Sequence, residues 1–317
     1  MKTAHAAQVT VSRRHTSLWA AIWKNRIVYT LLIPGLVWYV IFAYGPMGGL
    51  VLAFKRYRAN LGIWGSPWIG MQNFQYVFVD AAFYKSVIKT LTINIGRMVF
   101  QFPMPIILAL LLNEMRFTKL KRSIQTVLTF PHFLSWVVVA SIIINLLAYN
   151  GLVNNIIKLF TGGTIFNFLG NTQVFIPMLY VTEVWKNAGW SAIVYLAAIS
   201  GINTDQYEAA EIDGASRFQK LFSITLPNIT PTIIVMFILA MGGLMSTGFD
   251  QVFNLSNPAV RDVAETLDMY IYRITFLSPP NFAFSTAVSL FRSIVNMVLL
   301  LLADRGAKMM GSDGLLG

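Results

Sequence analysis

EAAEIDGASRFQKLFSITLP, residues 208 to 227, is a charged, turn-rich segment set between two long apolar runs. Its carboxylates and cations are too costly to place in hydrocarbon, so it reads as a structured loop at the water face of a membrane protein. Asp205 followed by Glu208 has the spacing of a capping box and predicts a short helix over residues 206 to 212. Asp213-Gly214 is a turn signal, because glycine takes positive φ without steric penalty. Ser216 is placed to cap a second helix, on which Phe218, Leu221 and Phe222 share one face opposite Arg217, Gln219 and Lys220. Leu226-Pro227 is expected to end that helix, since the residue before proline is pushed out of the α region. The local prediction is helix, turn, helix, holding an apolar stripe near the membrane.

The surrounding composition supplies the membrane. The chain is 56% hydrophobic and 12% charged over 317 residues, with a mean hydropathy of +0.61, which places an all-α membrane protein ahead of any soluble class. There is no cysteine, so disulfides and thiolate metal sites are excluded. His5, His15 and His132 are scattered, without the spacing of a metal site. Neither a phosphate-binding P-loop nor a G-x-G-x-x-G fingerprint occurs, so any ATP used would be hydrolysed by a partner. The net charge of +11 comes largely from residues flanking apolar runs, where membrane lipids rather than nucleic acid are the expected partner.

Six apolar runs are long enough to cross a bilayer, over residues 27 to 54, 88 to 112, 124 to 148, 174 to 199, 229 to 249 and 286 to 303. Ahead of them, residues 1 to 26 carry five basic and no acidic residues, with Leu18, Trp19, Ile22 and Trp23 on one face. This reads as a basic interfacial helix, not a cleaved leader. With the amino terminus inside, the inner segments hold 13 lysines and arginines against 8 outside, which directs an N-in, C-in topology. The expected organisation is therefore an N-terminal cytoplasmic segment (1 to 26), a transmembrane domain (27 to 303) with its cytoplasmic loop at 201 to 227, and a cytoplasmic tail (304 to 317).

Several polar residues fall inside these runs and should face a wet cavity or a neighbouring helix. Glu183 and Lys186 are three apart and can neutralise one another on one helix face. With Trp185 and Trp190 beside them, they nominate the fourth run as the lining of a solute path, to which Asn145 and Tyr195 are added. The outer loops, 55 to 84 and 250 to 285, mix aromatics, asparagines and cations that suit sugar rings and hydroxyls, although an interfacial aromatic belt has the same composition. Lys55, Arg56 and Arg58 would favour an acidic oligosaccharide such as a uronate.

Glu208-Ala209-Ala210 alone is compatible with a merely solvated loop, but the full spacing, through Asp213-Gly214-Ala215 to Ile224-x-Leu226-Pro227, resembles the EAA loop of permease subunits in bacterial ABC importers. Further matching segments are PMGGL at 46 to 50, GSPWIG at 65 to 70, FPHFLSW at 130 to 136, WKNAGW at 185 to 190, YLAA at 195 to 198 and FSTAV at 284 to 288. Together they resemble the carbohydrate-uptake permeases, in particular the LplB-like branch for oligosaccharides and polysaccharide fragments. The resemblance implies the six-span, MetI-like fold of type I importers in the bacterial inner membrane. It implies a heterodimer with a second homologous permease, two ATPase subunits binding ATP and Mg2+, and an extracytoplasmic solute-binding protein. Carried over residue by residue, Glu208, Ala209, Ala210, Asp213, Gly214, Ala215, Leu226 and Pro227 would form the ATPase-coupling element. The chain itself would be no enzyme. Two other classes are weighed against this. An ion-coupled secondary transporter would leave the cytoplasmic loop without a role. A membrane-embedded sugar-processing enzyme would need a carboxylate pair or metal site that the loop does not offer.

Overall fold

The computed structural model describes residues 23–246, 248–277, 279–312 and 314–315. Among the described residues the backbone is helical, and the only extended pairing is an antiparallel bridge between Lys55 and Trp68. The chain divides into two units, Met1–Val51 and Leu52–Gly317. The interfacial helix expected over residues 1 to 26 lies outside the described residues except for its last four.

The first unit contains most of α1 (Arg26–Phe54), 29 residues whose apolar side chains stand exposed along its length, as suits a helix solvated by acyl chains. Its ladder changes pitch. A π segment, Tyr39–Tyr44, gives way to a 3-10 run, Gly45–Phe54. Pro46 sits at the switch, where its missing N–H and its ring bar a regular α turn.

The second unit contains α2 (Gln72–Val79), α3 (Ala81–Asn113), α4 (Thr118–Thr129), α5 (Trp136–Leu147), α6 (Leu152–Thr161), α7 (Thr172–Ser200), α8 (Thr204–Ile212), α9 (Arg217–Gly242), α10 (Phe249–Leu255), α11 (Leu267–Tyr272) and α12 (Phe282–Met309). Asx residues start the long ones: Asp80 accepts from the Ala82 amide, Asn171 from Gln173 and Asn281 from Phe284. Five stretches are long and apolar enough to cross a membrane: α1, α3, α5 with α6, α9 and α12. The sixth, α7, has 29 residues, sufficient at about 1.5 Å each to cross a hydrocarbon core, but carries Glu183, Lys186 and Asn187 in its middle.

Two predicted runs need correction. Residues 124 to 148 are not one helix. α4 ends at Thr129, Phe130–Phe133 forms a 3-10 turn, and Ser135 caps a fresh start at Trp136, because Pro131 interrupts the ladder. The fifth helix is also not opened at Leu226-Pro227. Leu226 is helical at φ −63°, ψ −45°, and α9 runs unbroken from Arg217 to Gly242 through a π segment, Leu221–Thr225. The wider turn accommodates Pro227, so the helix is conserved through the proline instead of ending there.

α7 is the centre of this unit. Its Phe175, Met178 and Leu179 join Ile93 of α3 and Ala140 of α5 in one buried cluster, and its Ala192, Tyr195 and Ile199 join Ala109 of α3 and Ile229 of α9 in another. Small residues permit these approaches. At Gly189, a Cβ would stand 2.1 Å from the Leu128 carbonyl oxygen, so α7 lies directly against the end of α4. The membrane-depth break after α9 is also covered. Asn94 donates to the carbonyls of Leu244 and Ser246, and the Met245 amide donates to Asn296 Oδ1 over 2.9 Å. Helix ends without such partners are not tolerated away from water.

Candidate functional site

The segment from Thr204 to Lys220 is a helix, a turn and the start of a second helix, as its sequence predicts, but the first cap differs. Asn203, not Asp205, caps α8, its side chain accepting from the Asp205 amide over 3.0 Å, so α8 starts at Thr204. The turn after α8 is a Schellman motif. The Ala215 amide donates to the Ala210 carbonyl over 2.8 Å and the Gly214 amide to the Glu211 carbonyl over 3.0 Å. That pair of bonds needs a left-handed residue between them, and Gly214 has φ +75°. Ser216 then forms the reciprocal capping box with Gln219.

Three side-chain contacts fasten α8 to the start of α9. Tyr207 Oη lies 2.9 Å from Thr225 Oγ1, Asn228 donates to Gln206 Oε1 over 3.0 Å, and Lys220 Nζ donates to Glu211 Oε1 over 2.6 Å. The lysine holds the Glu211 carboxyl below its ordinary range, first by the hydrogen bond and then by its charge. Residues 206, 207, 225 and 228 escape sequence reasoning, since nothing local marks them as partners across about twenty residues. The outer surface is unusual for a water face. Ile212, Phe218 and Phe222 are 88, 77 and 61% exposed, beside exposed Glu208, Ala209 and Asp213, while Ala210 and Ala215 are half-buried under the turn. An exposed apolar trio with an acidic flank thus stands on a segment held in one conformation by its turn and caps. Leu226 and Pro227 lie in the continuous helix behind it.

The residues nominated for a solute path separate into groups. Glu183 and Tyr195 line a cavity of about 390 Å3 within the helix bundle, together with Asn94, Arg97, Gln101 and Ser191. Glu183 accepts from Asn187 over 2.7 Å and from Gln101 over 3.3 Å. Lys186 does not pair with it, contrary to the expected ion pair. Its Nζ donates to the His132 carbonyl over 2.8 Å and to that of Pro131 over 3.5 Å, and sits 5.6 Å from the Trp136 ring centre. Trp190 stacks parallel on His132 at 4.8 Å, and His132 Nδ1 lies 2.8 Å from Asn187 Oδ1. The two motifs FPHFLSW and WKNAGW therefore pack on each other, and their polar residues serve the α4 to α5 corner. Trp185 is half exposed, and Asn145 donates to the Ser141 carbonyl of its own helix.

Arg97 of α3 donates to Gln251 of α10, whose amide in turn donates to the Leu179 carbonyl and Thr182 Oγ1 of α7, each at 2.8 Å. This ties α3, α7 and α10 together beside the cavity. Arg97 is visible in the sequence as an intramembrane charge, whereas Gln251 is not.

In the loop that follows α1, Lys55 is buried and donates to the carbonyls of Ile63 and Trp64 at 3.0 and 2.9 Å. It is a structural staple of that loop, so the expected trio of substrate-facing cations reduces to the exposed Arg56 and Arg58.

A family model described as "Binding-protein-dependent transport system inner membrane component" matches residues 101–309. The chain is 39% identical over 321 residues to the polygalacturonan/rhamnogalacturonan transport system permease protein YteP of Bacillus subtilis strain 168, covering 99% of this chain and all of the relative. It is 40% identical over 310 residues to the protein LplB of the same organism, covering 98% of this chain and 97% of the relative. Among solved structures, a bacterial alginate ABC transporter in complex with an alginate pentasaccharide-bound periplasmic protein contains a chain that superposes with a TM-score of 0.84 at 34% identity, covering 94% of this chain and 99% of that one. With two thirds of its length matched by the model and near full-length relatives that are permeases, this chain belongs to the binding-protein-dependent transport system inner membrane components, as an inner-membrane permease subunit of a carbohydrate ABC importer and not an enzyme.

Proposed function

We propose that this chain forms half of the translocation path for an acidic, uronate-type oligosaccharide and couples it to ATP hydrolysis through α8 and the turn at Gly214. The observation that carries the coupling is the exposed trio Ile212, Phe218 and Phe222 on a knob fixed by the Schellman turn and by the Tyr207, Gln206 and Glu211 contacts. Glu208, Ala209, Ala210, Asp213, Gly214 and Ala215 are its core, with Leu226 and Pro227 in the helix that returns to the membrane. The remaining machinery is a second homologous permease, two ATPase subunits that bind ATP and Mg2+, and a solute-binding protein outside. Closure of the ATPase pair would draw the two coupling helices together and rock the permeases from inward- to outward-facing.

The acidic substrate is supported by the names of the relatives, since polygalacturonan, rhamnogalacturonan and alginate all carry uronate carboxylates. The cavity holding Arg97, Gln101, Glu183 and Tyr195 is the best-placed stretch of path within the membrane. Co-expression with the neighbouring genes tests the reading. An ATPase should co-purify with this chain and be lost on Glu208→Ala combined with Gly214→Pro. A chain that purifies alone, or an ATPase indifferent to those changes, overturns the coupling role.

A further inference from the structure

We infer that a cavity at the extracytoplasmic end of the chain is a subsite for the carboxylate of an acidic sugar, with Arg56 as the group that reads the charge. The inference rests on the acidic-oligosaccharide reading above and adds a place and a residue to it. The cavity measures about 840 Å3, within the range of about 300 to 1,000 Å3 typical of small-molecule sites, and its walls include Arg56, Tyr57, Tyr76, Asp80, Tyr270 and Arg273. These residues lie between the end of α1 and the start of α12, on the outer side in the N-in topology.

The charges in this cavity are already assigned, with one exception. Asp80 has one carboxylate oxygen accepting from the Ala82 amide and the other from the Tyr270 hydroxyl. Arg273 donates through Nε to Glu265 over 2.7 Å and lies 5.4 Å from the centre of the Tyr270 ring. Arg56 is exposed, and among the described residues its guanidinium has no ion pair. Its backbone is nevertheless fixed, with the amide donating to the Pro67 carbonyl over 2.9 Å and the preceding Lys55 bridged to Trp68. A cation whose backbone is held beside an isolated bridge, over a cup whose lining acid Asp80 is spoken for, is placed for an incoming carboxylate, which a guanidinium can bind through two parallel hydrogen bonds. Tyr76, 55% exposed in the same wall, offers a ring face for the sugar itself.

The test uses the complete importer. Binding of trigalacturonate and of its fully methyl-esterified form is measured on the assembled permease and ATPase complex in nanodiscs, without the solute-binding protein. Wild type should prefer the free acid by about tenfold or more, Arg56→Gln should bind both forms alike, and Arg56→Lys should fall between. Uptake of trigalacturonate into proteoliposomes with the binding protein present is measured in parallel. Uptake by wild type together with an unchanged acid preference in Arg56→Gln would overturn the subsite while leaving the importer reading intact. Absence of uronate uptake by wild type would overturn the acidic-substrate reading, and the subsite with it. If Arg56→Gln weakens docking of the binding protein and leaves the sugar preference unchanged, the arginine serves a protein contact and the subsite is refuted.

Discussion

The Ala215 amide donates to the Ala210 carbonyl across 2.8 Å, and the chain can make that bond only because Gly214, between them, adopts φ +75°. A Cβ at 214 would meet open space, so the constraint is one of backbone conformation and not of packing. Gly214→Ala should cost about 1 kcal/mol at the turn. Gly214→Pro should do more, since proline cannot reach positive φ and removes the donor to Glu211. Both variants should insert normally. ATP hydrolysis measured against solute uptake should become loosely coupled in the alanine variant and uncoupled in the proline variant; tight coupling in Gly214→Pro would exclude the turn from transmission.

Lys186 and Glu183 make opposite predictions, because they do not share a bond. Lys186→Met leaves the His132 carbonyl without its side-chain donor, at a cost of about 1 to 3 kcal/mol, while the Pro131 carbonyl keeps the Leu134 amide, and should lower the melting temperature in detergent. Glu183→Ala removes a cavity wall and the acceptor for Asn187 and Gln101 but leaves the lysine's contacts in place. It should perturb transport more than thermal stability. Equal melting temperatures for wild type and Lys186→Met would show that the corner does not depend on the lysine.

The Glu211 to Lys220 contact gives the α8 to α9 junction an acid sensitivity of defined sign. The carboxyl is held below its ordinary value of 4.5 in the folded chain, so its contribution is fully present above that value and is lost as pH falls through the lower folded value. At neutral pH the ion pair is intact, and Glu211→Gln should loosen α8 from α9, detectable as faster amide exchange over residues 204–212. Below the folded value wild type and variant should converge. A difference that persists unchanged into acid would mean that the carboxylate charge is not what holds α8.

Gly189→Ala should be among the most disruptive single-methyl changes, since the added carbon would lie 2.1 Å from a backbone oxygen of Leu128 that cannot swing aside. Overpacking of this kind costs about 1 to 3 kcal/mol. Separation of α7 from α4 should appear as a lower yield of folded protein and a lower melting temperature, while Gly214→Ala leaves the yield unchanged.

The architecture is legible in the sequence where a rule is local. Runs of apolar residues give the spans, Ser216 and Gly214 give the cap and the turn, and the spacing after Glu208 gives the family. Legibility fails where the deciding partner is distant or where two local rules compete. Asn203 and Asp205 are both good caps, and only the geometry selects the former. Pro227 carries a stop signal, but a π segment absorbs it. Lys186 has an attractive carboxylate three residues away in sequence, yet its partners are carbonyls 54 and 55 residues distant. Lys55 looks like a surface cation until the fold wraps Ile63 and Trp64 around it.

The unbroken course of α9 changes what a small displacement at the water face can accomplish. A helix of 26 residues is about 39 Å long, and this one begins inside the segment proposed for coupling and ends at Gly242, next to Gly243, Leu244 and Ser246 in the cavity wall. Had the chain stopped at Leu226 and restarted, a push on residues 217 to 220 would have dissipated in a flexible joint. In the proposed mechanism α9 would act as a push rod, with its π stretch at Leu221–Thr225 clamped by Tyr207 and Pro231 as a second interruption of its ladder. A stroke of an ångström or two delivered by the ATPase would arrive at the membrane-depth end as a stroke of comparable size.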